Sequence, residues 1–354
     1  MAKFHKLKVS DVRKETADCV SVAFDVPAEL KSEYTFLAGQ YLTLKLFVKG
    51  EELRRSYSIC SAPFESELRV AVKRVKEGKG SNLVNDALKA GDEVEVMTPM
   101  GGFHSPMSSM HKKKYVLFAG GSGITPMLSI IKTVLRSEPG SSLNLFYGNL
   151  DEASTIFKKQ LDELAGSSAG RLKVCYVLDK PASAIDELFK GMMTKDKVKT
   201  IFEKYVNLKD DNEFFICGPK PMMDNVRETL EEQKVEKSRI HIEYFTSAID
   251  APDKTVSASE KIVAKVTVSQ YGIETTFELA STGKAILDAA IEHGVDAPFA
   301  CKGAVCATCR GKVLEGKVMM SKNFALTDSE VAEGYILTCQ SHPISPVVKV
   351  DYDV

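Results

Sequence analysis

Four of the eight cysteines crowd the last sixth of the chain. Cys301, Cys306 and Cys309 read C-x4-C-x2-C, and Cys339 follows after a long gap. That spacing suits four thiolates converging on two irons. A tight loop supplies three, and a distant residue closes the site. Gly303 keeps the loop small, so backbone N–H groups can turn toward the sulfurs and spread their negative charge. A zinc site usually takes two paired knuckles, and Cys301 and Cys339 form no second pair. The expected metal ligands are Cys301, Cys306, Cys309 and Cys339, and the expected group is a [2Fe–2S] cluster.

A second centre is expected at Arg55-Ser56-Tyr57-Ser58, which ends a strand-like stretch. An arginine fork suits phosphate oxygens. The Tyr57 ring can pack on a heteroaromatic system, and the small Ser58 hydroxyl can hydrogen-bond a ring nitrogen without blocking it. Downstream, Val72-Lys73-Arg74 leads to Gly78-Lys79-Gly80-Ser81-Asn82 and a predicted helix from Asn82 to Lys89. Glycines ahead of a helix N-terminus bring N–H groups and the dipole onto a pyrophosphate. A third centre follows the strand Tyr115–Ala119 as Gly120-Gly121-Ser122-Gly123-Ile124-Thr125-Pro126. A Gly-x-Gly alone is weak, but this one leaves a strand and opens a helix, with Thr125 as expected N-cap and Pro126 as first helical residue. Gly121 and Gly123 let the backbone approach a second pyrophosphate. Tyr147-Gly148-Asn149 ends the next strand, and Cys217-Gly218-Pro219 ends a later one before a helix opened by Met222-Met223.

Three textures must position these centres. Up to about Pro106, short runs such as Val20–Phe24, Tyr41–Leu46 and Leu68–Val72 read as strands of a barrel or sandwich. From Lys114 to Phe245 apolar runs alternate with helical stretches, the pattern of βαβ units around a parallel sheet. Lys112-Lys113-Lys114 between them reads as a solvated turn. Thr246 to Glu260 is poor in large apolar residues and reads as a linker. The expected limits are 1–106, 107–248, a linker at 249–261, and 262–354. A net charge of -1 offers no field for a nucleic acid. No apolar run approaches the ~20 residues of a membrane span. The N-terminus lacks the apolar core of a secretory signal. With the cysteines gathered in a cluster, a reducing, cytoplasmic setting is expected.

The barrel and nucleotide motifs resemble the ferredoxin–NADP reductase family, with a plant-type ferredoxin segment appended at the C-terminus. The reductase components of ring-1,2-phenylacetyl-CoA epoxidases share this order, and the resemblance rests on Arg54–Cys60, Gly123–Leu128, Phe215–Pro219 and Cys301–Cys309. Steroid-hydroxylase reductases share the order too. The resemblance implies an antiparallel FAD-binding β-barrel, a doubly wound parallel-sheet NAD(P)-binding domain and an α+β, β-grasp ferredoxin domain. It assigns FAD to Arg55, Ser56, Tyr57, Ser58, Val72, Lys73, Gly80, Ser81, Asn82 and Phe245. It assigns NAD(P)H to Gly121, Ser122, Gly123, Thr125, Pro126, Tyr147, Gly148, Asn149, Cys217, Gly218, Pro219 and Met222. Ser58 and Cys217 are the expected catalytic residues, beside flavin and nicotinamide. The implied activity moves electrons from NAD(P)H through FAD and the cluster to a separate oxygenase. Another acceptor, such as a steroid hydroxylase or a free ferredoxin, is the alternative, and a non-enzymatic redox sensor the remote alternative. Three departures stand out: Ala38 where proline is common, Thr98 where glycine is common, and Ala304 where plant-type ferredoxins place glycine. Relatives often carry arginine after Asn149; here Leu150-Asp151-Glu152 follows, so weak coenzyme discrimination is expected, NADPH being favoured by resemblance alone.

Overall fold

The computed structural model describes residues 3–245 and 261–354. The expected linker, but for its last residue, lies outside the described residues. Two compact units are present, the larger spanning Phe4–Leu53 and Tyr57–Glu243 and the smaller built on Tyr244–Val354, with which Arg54–Ser56 in the middle of the fourth strand also group.

The larger unit begins with β1 (Phe4–Thr16), β2 (Cys19–Asp25), β3 (Tyr41–Val48), β4 (Glu51–Ser58), β5 (Leu68–Lys73) and β6 (Glu93–Met97). They lie in the order β4-β3-β6-β1-β2-β5. A bridge from Ile59, just past β4, to Val70 on β5 closes the curl. Along β1, Leu7 and Val9 alternate with exposed Lys6 and Lys8, the period-2 pattern of a half-buried strand. They join Val22, Leu42, Leu44, Val70 and Val96 in one apolar core. Helix α1 runs Lys79–Asp86, three residues earlier than predicted. Gly78 caps it in extended conformation, and the Ser81 hydroxyl accepts the Val75 N–H at 3.1 Å. Its end is set by the following turn, where Asp92 accepts the Lys89 N–H.

The same unit continues with β7 (Lys114–Gly120), α2 (Ile124–Ser137), β8 (Ser142–Asn149), α3 (Lys158–Ser167), β9 (Leu172–Leu178), α4 (Lys195–Tyr205), β10 (Asn212–Cys217), α5 (Lys220–Glu232) and β11 (Ile240–Glu243). The five strands are parallel in the order β11-β10-β7-β8-β9. That order reverses between β7 and β10, so the crevice beyond their carboxyl ends is the expected ligand position. The lysine run is not a solvated turn throughout. Lys113 is largely buried and pairs with Glu213 at 2.6 Å, and Lys114 opens β7. Glu213 also binds His241 at 2.9 Å, so one carboxylate ties together the starts of three strands.

The smaller unit contains β12 (Val263–Gln270), β13 (Ile273–Ala280), α6 (Ile286–Glu292), β14 (Arg310–Glu315), β15 (Val318–Met320), α7 (Asp328–Ala332), β16 (Tyr335–Leu337), β17 (Ser341–Pro343) and β18 (Val347–Asp351). A mixed sheet ordered β13-β12-β18-β14-β16 packs on α6, as a β-grasp fold requires. Asp353 accepts the N–H groups of both Tyr271 and Gly272, so the chain end holds the β12–β13 turn.

Candidate functional site

The cluster loop spans the gap between α6 and β14, and Cys339 comes from the turn after β16. Thr338 fastens the two parts. Its N–H and its hydroxyl both donate to the Cys309 carbonyl, at 3.1 and 2.9 Å. The sulfurs assemble as two pairs, Cys301 with Cys306 and Cys309 with Cys339. Backbone amides surround Cys301, with the Gly303 N–H donating to its Sγ at 3.2 Å. The Cys306 thiol, and then those donors, pull the Cys301 thiol below the usual thiol range. Among the described residues no three His, Cys, Asp or Glu side chains converge on a single ion. Two thiol pairs with inward N–H groups fit a dinuclear cluster, each iron taking one pair, better than a lone zinc. Cys306, Cys309 and Cys339 are buried, whereas Cys301 is exposed. Ala304 adopts φ +65, a left-handed conformation that glycine meets more easily, which accounts for the family's usual glycine there.

On the flavin side, β4 sorts its residues by alternation. Arg55 is exposed, Ser56 and Tyr57 are half-buried, and Ser58 is buried. The Arg55 Nη1 donates to the Arg54 carbonyl at 2.8 Å, which fixes the root of the fork. Gly80 and Ser81 fall inside the first turn of α1, whose leading N–H groups have no helical acceptor. The Asn82 side chain is engaged by Arg74, which also pairs with Asp86. Val72 lies in the barrel core, so only its backbone is available, and its carbonyl accepts from Asn85. Lys73 is placed differently from its neighbours: its Nζ stands 3.4 Å from the point where a Gly121 Cβ would lie. Phe245 is 41% exposed.

On the coenzyme side, Gly121–Gly123 forms a 3-10 turn and α2 starts at Ile124. Thr125 is therefore not the N-cap; its hydroxyl donates to the Ser122 carbonyl at 3.0 Å, and Pro126 occupies the third helical position. Both fit there because the first-turn N–H groups need no helical partner. The two glycines divide the work. Gly121, at φ +52, has only the Lys73 ammonium near its missing Cβ, whereas a Cβ on Gly123 would come within 2.0 Å of the Cys217 carbonyl. Gly218 packs likewise on the Gly120 backbone. Helix α5 opens at Lys220 behind Pro219, two residues before Met222. Tyr147 lies beneath the turn rather than on its surface. Its ring is fully buried and its hydroxyl donates to the Gly121 carbonyl at 2.9 Å. Gly148 and Asn149 end β8, where the Asn149 amide lies beside the Tyr147 hydroxyl.

Cys217 is also fully buried, and burial pushes its thiol well up, so it is a neutral, packed group. Its register partner on β11 is Glu243, whose carboxyl is pushed up to about 8 by desolvation. The sequence gives no sign of this, since Glu243 is merely one residue of a closing strand until β10 is seen beside it. A carboxyl kept neutral near pH 7 presents an O–H donor and no charge to an anionic ligand.

Family models match all three parts: an oxidoreductase FAD-binding domain over residues 6–105, an oxidoreductase NAD-binding domain over 117–228, and a 2Fe-2S iron-sulfur cluster binding domain over 268–343. The chain is 39% identical to a subunit of the 1,2-phenylacetyl-CoA epoxidase of Escherichia coli over 100% of this chain and 99% of the other. It is 34% identical to the ferredoxin reductase component of 3-ketosteroid-9-alpha-monooxygenase from Rhodococcus rhodochrous, over 98% of this chain and 96% of that one. Among solved structures, phthalate dioxygenase reductase superposes with a TM-score of 0.58 at 27% identity, over 98% of both chains. With the thiol pairs, the glycine turns and the strand order in place, the chain belongs to the family of oxygenase reductase components that join FAD-binding, NAD-binding and [2Fe–2S] domains.

Proposed function

We propose that this reductase supplies electrons from NAD(P)H to the oxygenase of a phenylacetyl-CoA epoxidase. The full-length likeness to a component of the Escherichia coli epoxidase carries the reading. The reductase component of a ketosteroid monooxygenase, similar over nearly the same length, supports a steroid-oxygenase acceptor as the second reading. When bound, FAD supplies the conversion of two-electron to one-electron transfer, and the cluster a one-electron carrier near about -400 mV.

The chain's own residues bind and orient. The first turn of α1, with Gly80 and Ser81, offers N–H groups to the flavin pyrophosphate, and Arg55 adds a fork. Tyr57 and Ser58 face the ring system. Gly121 and Ser122 take the coenzyme's pyrophosphate, and Gly123, Gly218 and Cys217 hold the two strand ends together. Cys217 acts by packing, and Glu243 holds a proton on its carboxyl beside it. The four cysteines hold the cluster. No residue needs to be a strong base; the work is orientation.

The test is reconstitution. The purified protein, with NAD(P)H and the oxygenase subunits of a phenylacetyl-CoA epoxidase, should consume coenzyme in step with epoxide formation. Coupling instead only to a steroid monooxygenase would move the assignment to the second reading. Dye reduction without coupling to any oxygenase would favour a free ferredoxin acceptor.

A further inference from the structure

Resting on the reading of β7–β11 as the coenzyme domain, we propose that this reductase is selective for NADH, and that Asp151 and Glu152 turn away the 2′-phosphate of NADPH. In a sheet of this order the adenosine ribose lies at the carboxyl end of the second strand, here β8. The residues there are Asn149, Leu150, Asp151 and Glu152. Leu150 is 48% exposed and brings no charge.

The two carboxylates after it are fixed rather than swinging. Asp151 accepts the Ser154 N–H at 2.8 Å. Glu152 accepts the Ala182 N–H through both oxygens, at 2.9 and 3.2 Å, and the Ser183 hydroxyl. These bonds hold both side chains below the usual carboxylate range, so both are charged at neutral pH. The backbone adds rigidity. Asp179 and Lys180 donate their N–H groups to the Asn149 and Leu150 carbonyls at 3.1 and 2.7 Å, so the loops after β8 and β9 are joined. The joining places a third carboxylate, Asp179, on the same rim.

The lysines of this rim are already engaged. Lys180 faces Asp151, Lys197 faces Asp179 while its Nζ donates to the Lys190 and Gly191 carbonyls, and Lys190 pairs with Glu187. Lys158 pairs with Asp162 and covers the Tyr176 ring, and Lys159 leans toward Glu163. Between Leu150 and Thr194 the single arginine is Arg171, at the opposite end of β9, where it binds the Leu135 carbonyl. A ribose hydroxyl meets this rim as a neutral donor. A phosphate with nearly two negative charges meets three carboxylates and no guanidinium fork.

Steady-state rates with ferricyanide should give a kcat/KM at least tenfold higher for NADH than for NADPH. Raising salt should narrow that ratio, because screening weakens repulsion at an exposed rim. The double variant Asp151→Asn, Glu152→Gln keeps the acceptors for Ser154 and Ala182 but removes both charges. It should lower the ratio severalfold through the NADPH value. Calorimetry supplies a readout apart from turnover: 5′-AMP should bind the wild type more tightly than 2′,5′-ADP, and the double variant should level them. Leu150→Arg, which leaves the loop bonds untouched, should move the ratio toward NADPH at least fivefold. A wild type that prefers NADPH, or a ratio unmoved by the double variant and by Leu150→Arg, overturns the proposal and leaves the coenzyme domain standing. Failure of both coenzymes to reduce the bound flavin overturns the coenzyme reading itself.

Discussion

At the scale of single residues, what decides each role is what the side chain touches. Gly121 and Gly123 look alike in the sequence, yet a Cβ meets only the flexible Lys73 ammonium at 3.4 Å at one and a carbonyl oxygen at 2.0 Å at the other. Gly123→Ala is expected to cost roughly 3 kcal/mol, since the atom it strikes is backbone and cannot swing aside. Gly121→Ala should cost only about 1 kcal/mol, for its left-handed φ, and should instead raise the KM for the coenzyme. Thermal unfolding and initial rates on the two variants check both; equal destabilisation would contradict the division. Among the cysteines, Cys339→Ser should abolish the iron–sulfur absorption, whereas Cys19→Ser, Cys60→Ser and Cys175→Ser should retain it. A normal spectrum in Cys339→Ser would disprove the ligand set. Lys113 shows why some roles were illegible. A lysine run reads as solvated surface until Glu213, a hundred positions on, is found 2.6 Å away.

At the scale of elements, the strands were legible because alternation and apolar runs are local, and the three centres were legible because their glycines and cysteines are close in sequence. Helix starts were not. Thr125 has the chemistry of an N-cap, but its hydroxyl is taken by Ser122 and the backbone begins the helix two residues sooner. The pairing of β10 with β11 adds a group that sequence could not flag. Glu243, beside Cys217, titrates at about 8 in the fold against 4.5 for an ordinary glutamate. The folded state thus keeps a proton that the unfolded chain releases. Its contribution is fully present below about pH 4.5 and is lost as pH rises to about 8, by roughly 5 kcal/mol over that window. Glu243→Gln should flatten this decline. Urea midpoints at pH 5 and pH 9 for both proteins test the point, and parallel slopes would show that Glu243 is not protonated in the fold.

At the scale of the whole molecule there are two compact units, the smaller carrying the four cluster cysteines together with Arg54–Ser56. The larger has its own cores in the barrel and around the parallel sheet, and the smaller has another under α6. A chain ending at Glu260 should therefore fold as a flavoprotein. NAD(P)H:ferricyanide activity should largely survive, because coenzyme and flavin residues all precede the cut. Delivery to an oxygenase should collapse with the loss of Cys301, Cys306, Cys309 and Cys339. Full oxygenase turnover by the shortened chain would mean that the flavin reaches the acceptor without the cluster.

Three cluster ligands are sealed and one, Cys301, is open to solvent. Cys301 is therefore the ligand that a solvent-borne reagent would meet first. Oxidants and chelators would attack a bound cluster from that end before they reached the three buried thiolates.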